Sequence, residues 1–101
     1  MSKLTGRQKR HLRGLAHGLK SLVRIGKNGL SDSMFDTLDE ALEHHELIKV
    51  RFIELKDQKR EACAMIDERL GSQCAGTVGH VAIFYRPARD PDERRIELPG
   101  A

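Results

Sequence analysis

A chain of 101 residues with 39% hydrophobic side chains has material for one core and not for two, so a single domain is expected. Three Phe, one Tyr and no Trp argue against a platform of aromatic rings on which bases would stack. The net charge of +3 is modest, but no apolar run approaches the roughly 20 residues of a membrane span, and the basic N-terminus lacks the apolar stretch of a signal peptide, so the expected location is cytoplasmic.

Thr5 followed by Gln8 has the spacing of a capping box, and Leu12, Leu15, Ala16 and Leu19 then repeat at helical intervals. A first helix over about residues 6 to 17 follows, with Arg7, Lys9, Arg10, Arg13 and Lys20 left to its flanks and outer face. Leu22 to Ile25 is a β-branched run stopped by Gly26, a first strand. After the loop Gly26-Lys27-Asn28-Gly29, Ser31 is placed to cap a second helix whose apolar stripe is Phe35, Leu38, Ala41, Leu42 and His45.

Leu47 to Ile53 alternates, with Ile48, Val50 and Phe52 on one face and Lys49 and Arg51 on the other, where they extend a basic surface. Asp57 is the expected cap of a third helix with the stripe Ala62, Cys63, Ile66 and Leu70, closed by Gly71 in a left-handed cap. Cys74 to Val78 and Val81 to Arg86 read as a hairpin turning at Gly79-His80. Beyond Pro87 only Ile96 and Leu98 are large and aliphatic, so residues 88–101 read as a loose charged tail, part of which can add an edge strand. The order α-β-α-β-α-β-β predicts an α+β domain over residues 1–87, a four-stranded mixed sheet packed with three helices.

Charge is segregated along this chain. Residues 1–30 carry Lys3, Arg7, Lys9, Arg10, Arg13, Lys20, Arg24 and Lys27 with no acid, whereas residues 31–46 carry Asp32, Asp36, Asp39, Glu40, Glu43 and Glu46 with no Lys or Arg. A polyanion is therefore drawn to the first third of the chain. The glycine at each end of the four-residue loop permits positive φ and removes a Cβ, which lets backbone lie against a bulky sugar-phosphate chain. The loop also opens a helix, whose free N–H groups near Leu30 to Ser33 suit a phosphate oxygen. Lys27 and Arg24 add mobile positive charge. A lone GxxG loop is more often simply a turn; the basic segment beside this one brings nucleic-acid backbone binding level with that reading. Asp32 and Asp36 oppose that reading if they face the loop, because carboxylates compete with phosphate for the helix's positive end.

Other chemistries find less support. His44, His45, Cys63 and Cys74 match no common zinc spacing, and the two cysteines read as reduced small side chains. Neither a G-x-S-x-G, an H-E-x-x-H nor a Walker lysine motif occurs, so neither catalysis nor a cofactor is expected. The acidic second helix offers a different function, docking on a basic partner such as a ribosomal protein.

Four blocks together carry a resemblance: LTGRQKRHLRGLAHGL at Leu4 to Leu19, GKNGL at Gly26 to Leu30, ALEHHELIKV at Ala41 to Val50 and IFYRP at Ile83 to Pro87. In this order they resemble the bacterial CRM-domain, YhbY-type family. The resemblance implies a fold similar to the C-terminal domain of bacterial initiation factor three and a non-enzymatic protein that binds RNA and associates with the precursor of the large ribosomal subunit; a monomer is expected. It assigns the RNA-binding loop to Gly26, Lys27, Asn28 and Gly29 and the basic helix to Lys9, Arg10 and Arg13; the residues themselves add Arg7, Lys20 and Arg24.

Overall fold

A computed structural model describes residues 2–100. At Thr5 the hydroxyl accepts the Gln8 N–H at 3.2 Å while Gln8 Oε1 accepts the Thr5 N–H at 3.1 Å, so the capping box closes and α1 (Gly6–Ala16) begins. Leu12 and Ala16 are buried as expected, but Leu15 and Leu19 are 44% and 42% exposed. The helix ends before Leu19, and Leu15 lies on its flank, outside the narrow stripe that meets the sheet.

The remaining elements are β1 (Ser21–Ile25), α2 (Asp32–His44), β2 (Leu47–Phe52), α3 (Lys59–Leu70), β3 (Gln73–Val78) and β4 (Val81–Tyr85). They form one mixed sheet in the order β1-β2-β4-β3, with β1 parallel to β2 and the other pairs antiparallel. A parallel pair needs a long crossover, and α2 supplies it. The β3–β4 hairpin turns at Gly79, whose φ of +59° suits glycine. Gly71, at φ +67°, ends α3 and donates its N–H to Asp67 O at 2.9 Å.

Alternation along the strands gives the sheet two apolar faces. One packs Val23, Ile25, Ile48, Val50, Phe52 and Phe84 against Phe35, Leu38 and Leu42 of α2 and Ala62, Cys63 and Ile66 of α3. The other packs Leu47, Ala75, Ile83 and Tyr85 against Leu4, Leu12 and Ala16. The sheet is thus the middle layer, with α2 and α3 on one side and α1 on the other. Phe84 is fully buried, and its removal to Ala would cost about 3–5 kcal/mol.

Two further expectations are corrected. Asp57 does not cap α3: it lies in a short 3₁₀ turn, Lys56–Gln58, and Gln58 precedes the helix without a side-chain cap. Leu55, at φ +60°, swings the chain into that turn one residue early. His45 is exposed and ends α2 instead of completing its apolar stripe.

The segment after Pro87 is neither loose nor a strand among the described residues. Glu46, only 7% exposed, accepts the Arg95 and Ile96 N–H groups through Oε1 at 2.6 and 3.3 Å and the Ala88 N–H through Oε2 at 3.0 Å. Gln8 Nε2 donates to Pro99 O at 3.0 Å, and Ile96 and Leu98 pack on the α1 side of the core. A buried carboxylate with three N–H donors is well solvated by the protein itself, which is why an acidic residue tolerates this place.

Candidate nucleic-acid interface

The Gly26–Gly29 loop is a tight turn in which the Gly29 N–H donates to Gly26 O at 2.9 Å. Gly29 takes φ +59°, and a Cβ there would meet Leu55 Cδ1 at 3.5 Å. Gly26 does not use a positive φ, and a Cβ built on it meets nothing within 4 Å. The turn therefore needs one of the two glycines for its own geometry; at Gly26 the protein itself leaves room for a side chain. Below the loop sits Leu55, whose left-handed backbone is unusual for a branched residue.

Ser31 Oγ accepts the Met34 N–H at 3.1 Å, and Ser31 O accepts the Phe35 N–H at 3.0 Å. Among the described residues no acceptor reaches the Asp32 and Ser33 N–H groups, so the positive end of α2 stays open. Loop and first turns enclose a shallow concavity of about 220 Å³ lined by Gly26, Lys27, Asn28, Gly29, Ser31, Ser33, Met34 and Thr37. Its wall carries hydroxyls and no carboxylate. Asp32 is turned to α3, where its Oδ1 accepts from Arg69 Nη2 at 2.9 Å, and Asp36 is not among the lining residues. Arg69 also stacks over the Phe35 ring at 4.1 Å, on the α3 side of Asp32.

The other residues singled out from sequence are not gathered at this loop. Helix α1 crosses the sheet at its far end, where Leu4 N–H donates to Gln73 Oε1 at 2.6 Å, Arg13 Nη1 to Ala75 O at 2.7 Å and Lys49 Nζ to Leu19 O at 3.0 Å. The loop leaves the opposite end of β1, where Ile25 is paired with Phe52. A five-residue strand separates them, roughly 17 Å at about 3.3 Å per residue. Arg7, Arg10 and Lys20 are exposed, whereas Lys9 is half-buried and its charge acts on Asp67. Arg13 is half-buried and engaged by β3. Between α1 and the loop the sheet lies open, with Arg24 beside Arg51.

Two candidates were not singled out by the sequence reading. Ser33 and Thr37 share one helix face by their i, i+4 spacing, a signal that becomes meaningful only once the loop is seen to fold against that face. The acidic run, conversely, is less available than its composition implies: Asp39 and Glu43 pair with Arg86, Glu43 also pairs with Arg89, Asp32 pairs with Arg69, and Glu46 holds the C-terminal segment.

A single α+β domain with a glycine turn at an open helix start and a basic sheet face beside it defines the class of protein. The CRS1 / YhbY (CRM) domain matches residues 4–86, and the chain belongs to that family. It is 37% identical over 101 residues to an RNA-binding protein of Haemophilus influenzae, covering 98% of each chain. It is 36% identical to the YqeI protein of Bacillus subtilis, covering 95% of this chain and 99% of that one. The solution structure of SAV1595 from Staphylococcus aureus superposes with a TM-score of 0.80 at 37% identity, covering 96% of this chain and 100% of that one.

Proposed function

We propose that the protein binds RNA through its backbone, with the Gly26–Gly29 turn and the start of α2 as the phosphate-holding element and α1 as a separate electrostatic anchor. The observation that carries this reading is the carboxylate-free concavity at the loop, lined by Lys27, Ser31, Ser33 and Thr37, with Asp32 drawn off by Arg69. Free N–H groups at a helix start, hydroxyls and a lysine are the donors a phosphodiester takes. The relative from Haemophilus influenzae, named an RNA-binding protein, supports the same class of ligand. For the RNA itself we propose ribosomal RNA in the precursor of the large subunit, which the family resemblance implies, and for the location the cytoplasm, expected from a sequence with no apolar run of membrane-span length. A non-enzymatic binding role fits donors without a nucleophile–base pair.

Replacing Lys27 and Asn28 together by Asp tests the loop. RNA affinity is expected to fall with the urea midpoint unchanged, since both side chains are exposed. Unaltered affinity in that variant removes the loop from the interface. For the ribosomal part, the tagged chain is expected to sediment with large-subunit precursor particles and not with mature ribosomes. The acidic α2 face, the competing docking surface, is weakened as a partner site by the internal pairing of Asp32, Asp39 and Glu43.

A further inference from the structure

The part of the sheet that α1 leaves uncovered carries a row of side chains running across all four strands. The register places Arg24 of β1 beside Arg51 of β2, Arg51 opposite Val81 of β4, and Val81 opposite Val78 of β3. Their strand neighbours Val23, Ile25, Val50, Phe52 and Ala82 are buried on the α2–α3 side, so the four members of the row point the other way, to the α1 side. Arg24 and Arg51 are exposed, Val81 is half-buried and Val78 is 66% exposed.

Among the described residues neither guanidinium has a carboxylate within 4.0 Å. Like charges side by side on adjacent strands repel each other, and a bound anion relieves that repulsion. The valines offer a wide apolar surface next to the two charges, on a protein with few aromatic side chains. The row begins at Arg24, two residues before Gly26, and spans about 14 Å at roughly 4.8 Å per strand.

Resting on the reading that the loop holds RNA backbone, we infer that this row is a second contact for single-stranded RNA. The strand leaving the loop crosses the sheet from β1 toward β3, its phosphates on Arg24 and Arg51 and an unstacked base against Val81 and Val78. A guanidinium gives bidentate donors to a phosphate and a flat face to a base. A duplex keeps its bases stacked inside and has none to lay on the valines. The row also bridges the gap between loop and α1, which lie too far apart for one phosphate to touch both.

The test uses the full chain with two unstructured uridine oligonucleotides, of about four and about ten nucleotides, titrated by fluorescence anisotropy and by amide chemical-shift mapping. Arg51→Gln is expected to weaken binding of the longer RNA about five- to tenfold, lower its salt slope by roughly 0.7, and leave the shorter RNA on the loop unchanged. Lys27→Asp with Asn28→Asp is expected to weaken both. If Arg51→Gln leaves the longer RNA unaffected while the loop variant weakens it, the row is overturned and the loop reading stands. If the wild-type chain binds neither RNA, both readings fall. A duplex of matching length that binds as tightly as the single strand, and loses as much on Arg51→Gln, also overturns the row as a single-strand contact.

Discussion

Arg86, just past the end of β4, reaches Asp39 in the middle of α2, donating from Nη1 to Oδ1 at 2.7 Å while its Nη2 donates to the Asp39 carbonyl at 3.1 Å. The same Nη1 also donates to Leu70 O at 2.9 Å at the end of α3. One guanidinium, 12% exposed, thus ties both helices of one layer to the sheet.

Arg86→Met is therefore expected to destabilise the domain by about 2–4 kcal/mol, because it strands Leu70 O and the Asp39 carboxylate together. Asp39→Asn should cost only about 1 kcal/mol, since the aspartate is 46% exposed and water can replace part of the pair. Urea unfolding of the two variants measures both; equal losses would mean the carbonyl contacts contribute nothing.

Removing the Glu46 carboxylate leaves three N–H donors without a partner. Glu46→Ala should cost about 1–3 kcal/mol and release residues 88–99 while the sheet stays intact. Hydrogen exchange at Ala88, Arg95 and Ile96 reports it directly, with accelerated exchange there and little change in β2 and β4.

Two glycines should respond in opposite ways to the same change. Gly76 holds φ +142°, and a Cβ there would lie 2.9 Å from Arg13 Cδ, whose guanidinium is fixed on Ala75 O. Gly76→Ala is expected to destabilise by about 1–3 kcal/mol. Gly26→Ala should change stability by less than about 0.5 kcal/mol yet lower RNA affinity several-fold, because a methyl there obstructs only an approaching ligand. Thermal melts and RNA titrations on both variants separate fold from function.

Cys63 and Cys74 are both free thiols whose side chains interact across the α3–β3 contact. The neighbouring Cys63 thiol brings the Cys74 thiol down to about 7, while Cys74 and burial push Cys63 up. A thiol acidified by folding adds stability above its unfolded value near 9 and loses that contribution as pH falls through about 7. Urea midpoints from about pH 6.5 to 9.5 should accordingly rise in the wild type relative to Cys74→Ser. Iodoacetamide should modify Cys74 well before Cys63, read by mass spectrometry.

On α1 the basic residues divide by their contacts. Arg7→Gln with Arg10→Gln should lower the salt slope of RNA binding by about 0.7–1.4 at unchanged stability. Arg13→Gln should instead lower the unfolding midpoint, as it removes the bond to Ala75 O. A salt slope unmoved by the double variant would take α1 out of the interface.

Much of the architecture was legible because it is written in local signals. The Thr5–Gln8 box, the Ser31 cap, the period of Phe35, Leu38 and Leu42, the alternation of Leu47 to Phe52 and the left-handed Gly71 each depend on residues within a few positions. What was not legible depends on partners far along the chain. Asp32 is turned aside by a residue 37 positions away, and Glu46 looked like one more acid in an acidic run until the segment 42 to 50 residues later folded onto it. Asp57 had the chemistry of a cap, but the turn at Leu55 set the helix start beyond it. At the interface, adjacency in sequence made α1 and the loop look like neighbours; α1 crosses the sheet at its other end, so the basic surface is spread over the open strands instead.

The outer strands of the sheet, β1 and β3, are where a second chain could add edge to edge. An outer strand presents unpaired N–H and C=O groups to which a second chain can add as a fifth strand. β1 has only five residues, with a register break between Ser21 and Val23, and β3 is bent by its irregularity between Cys74 and Gly76. Neither offers a long flat ladder, and Lys20 and Arg24 would set like charges against a second copy of β1. Strand-to-strand aggregation is therefore disfavoured by the broken edges and by the basic side chains along β1.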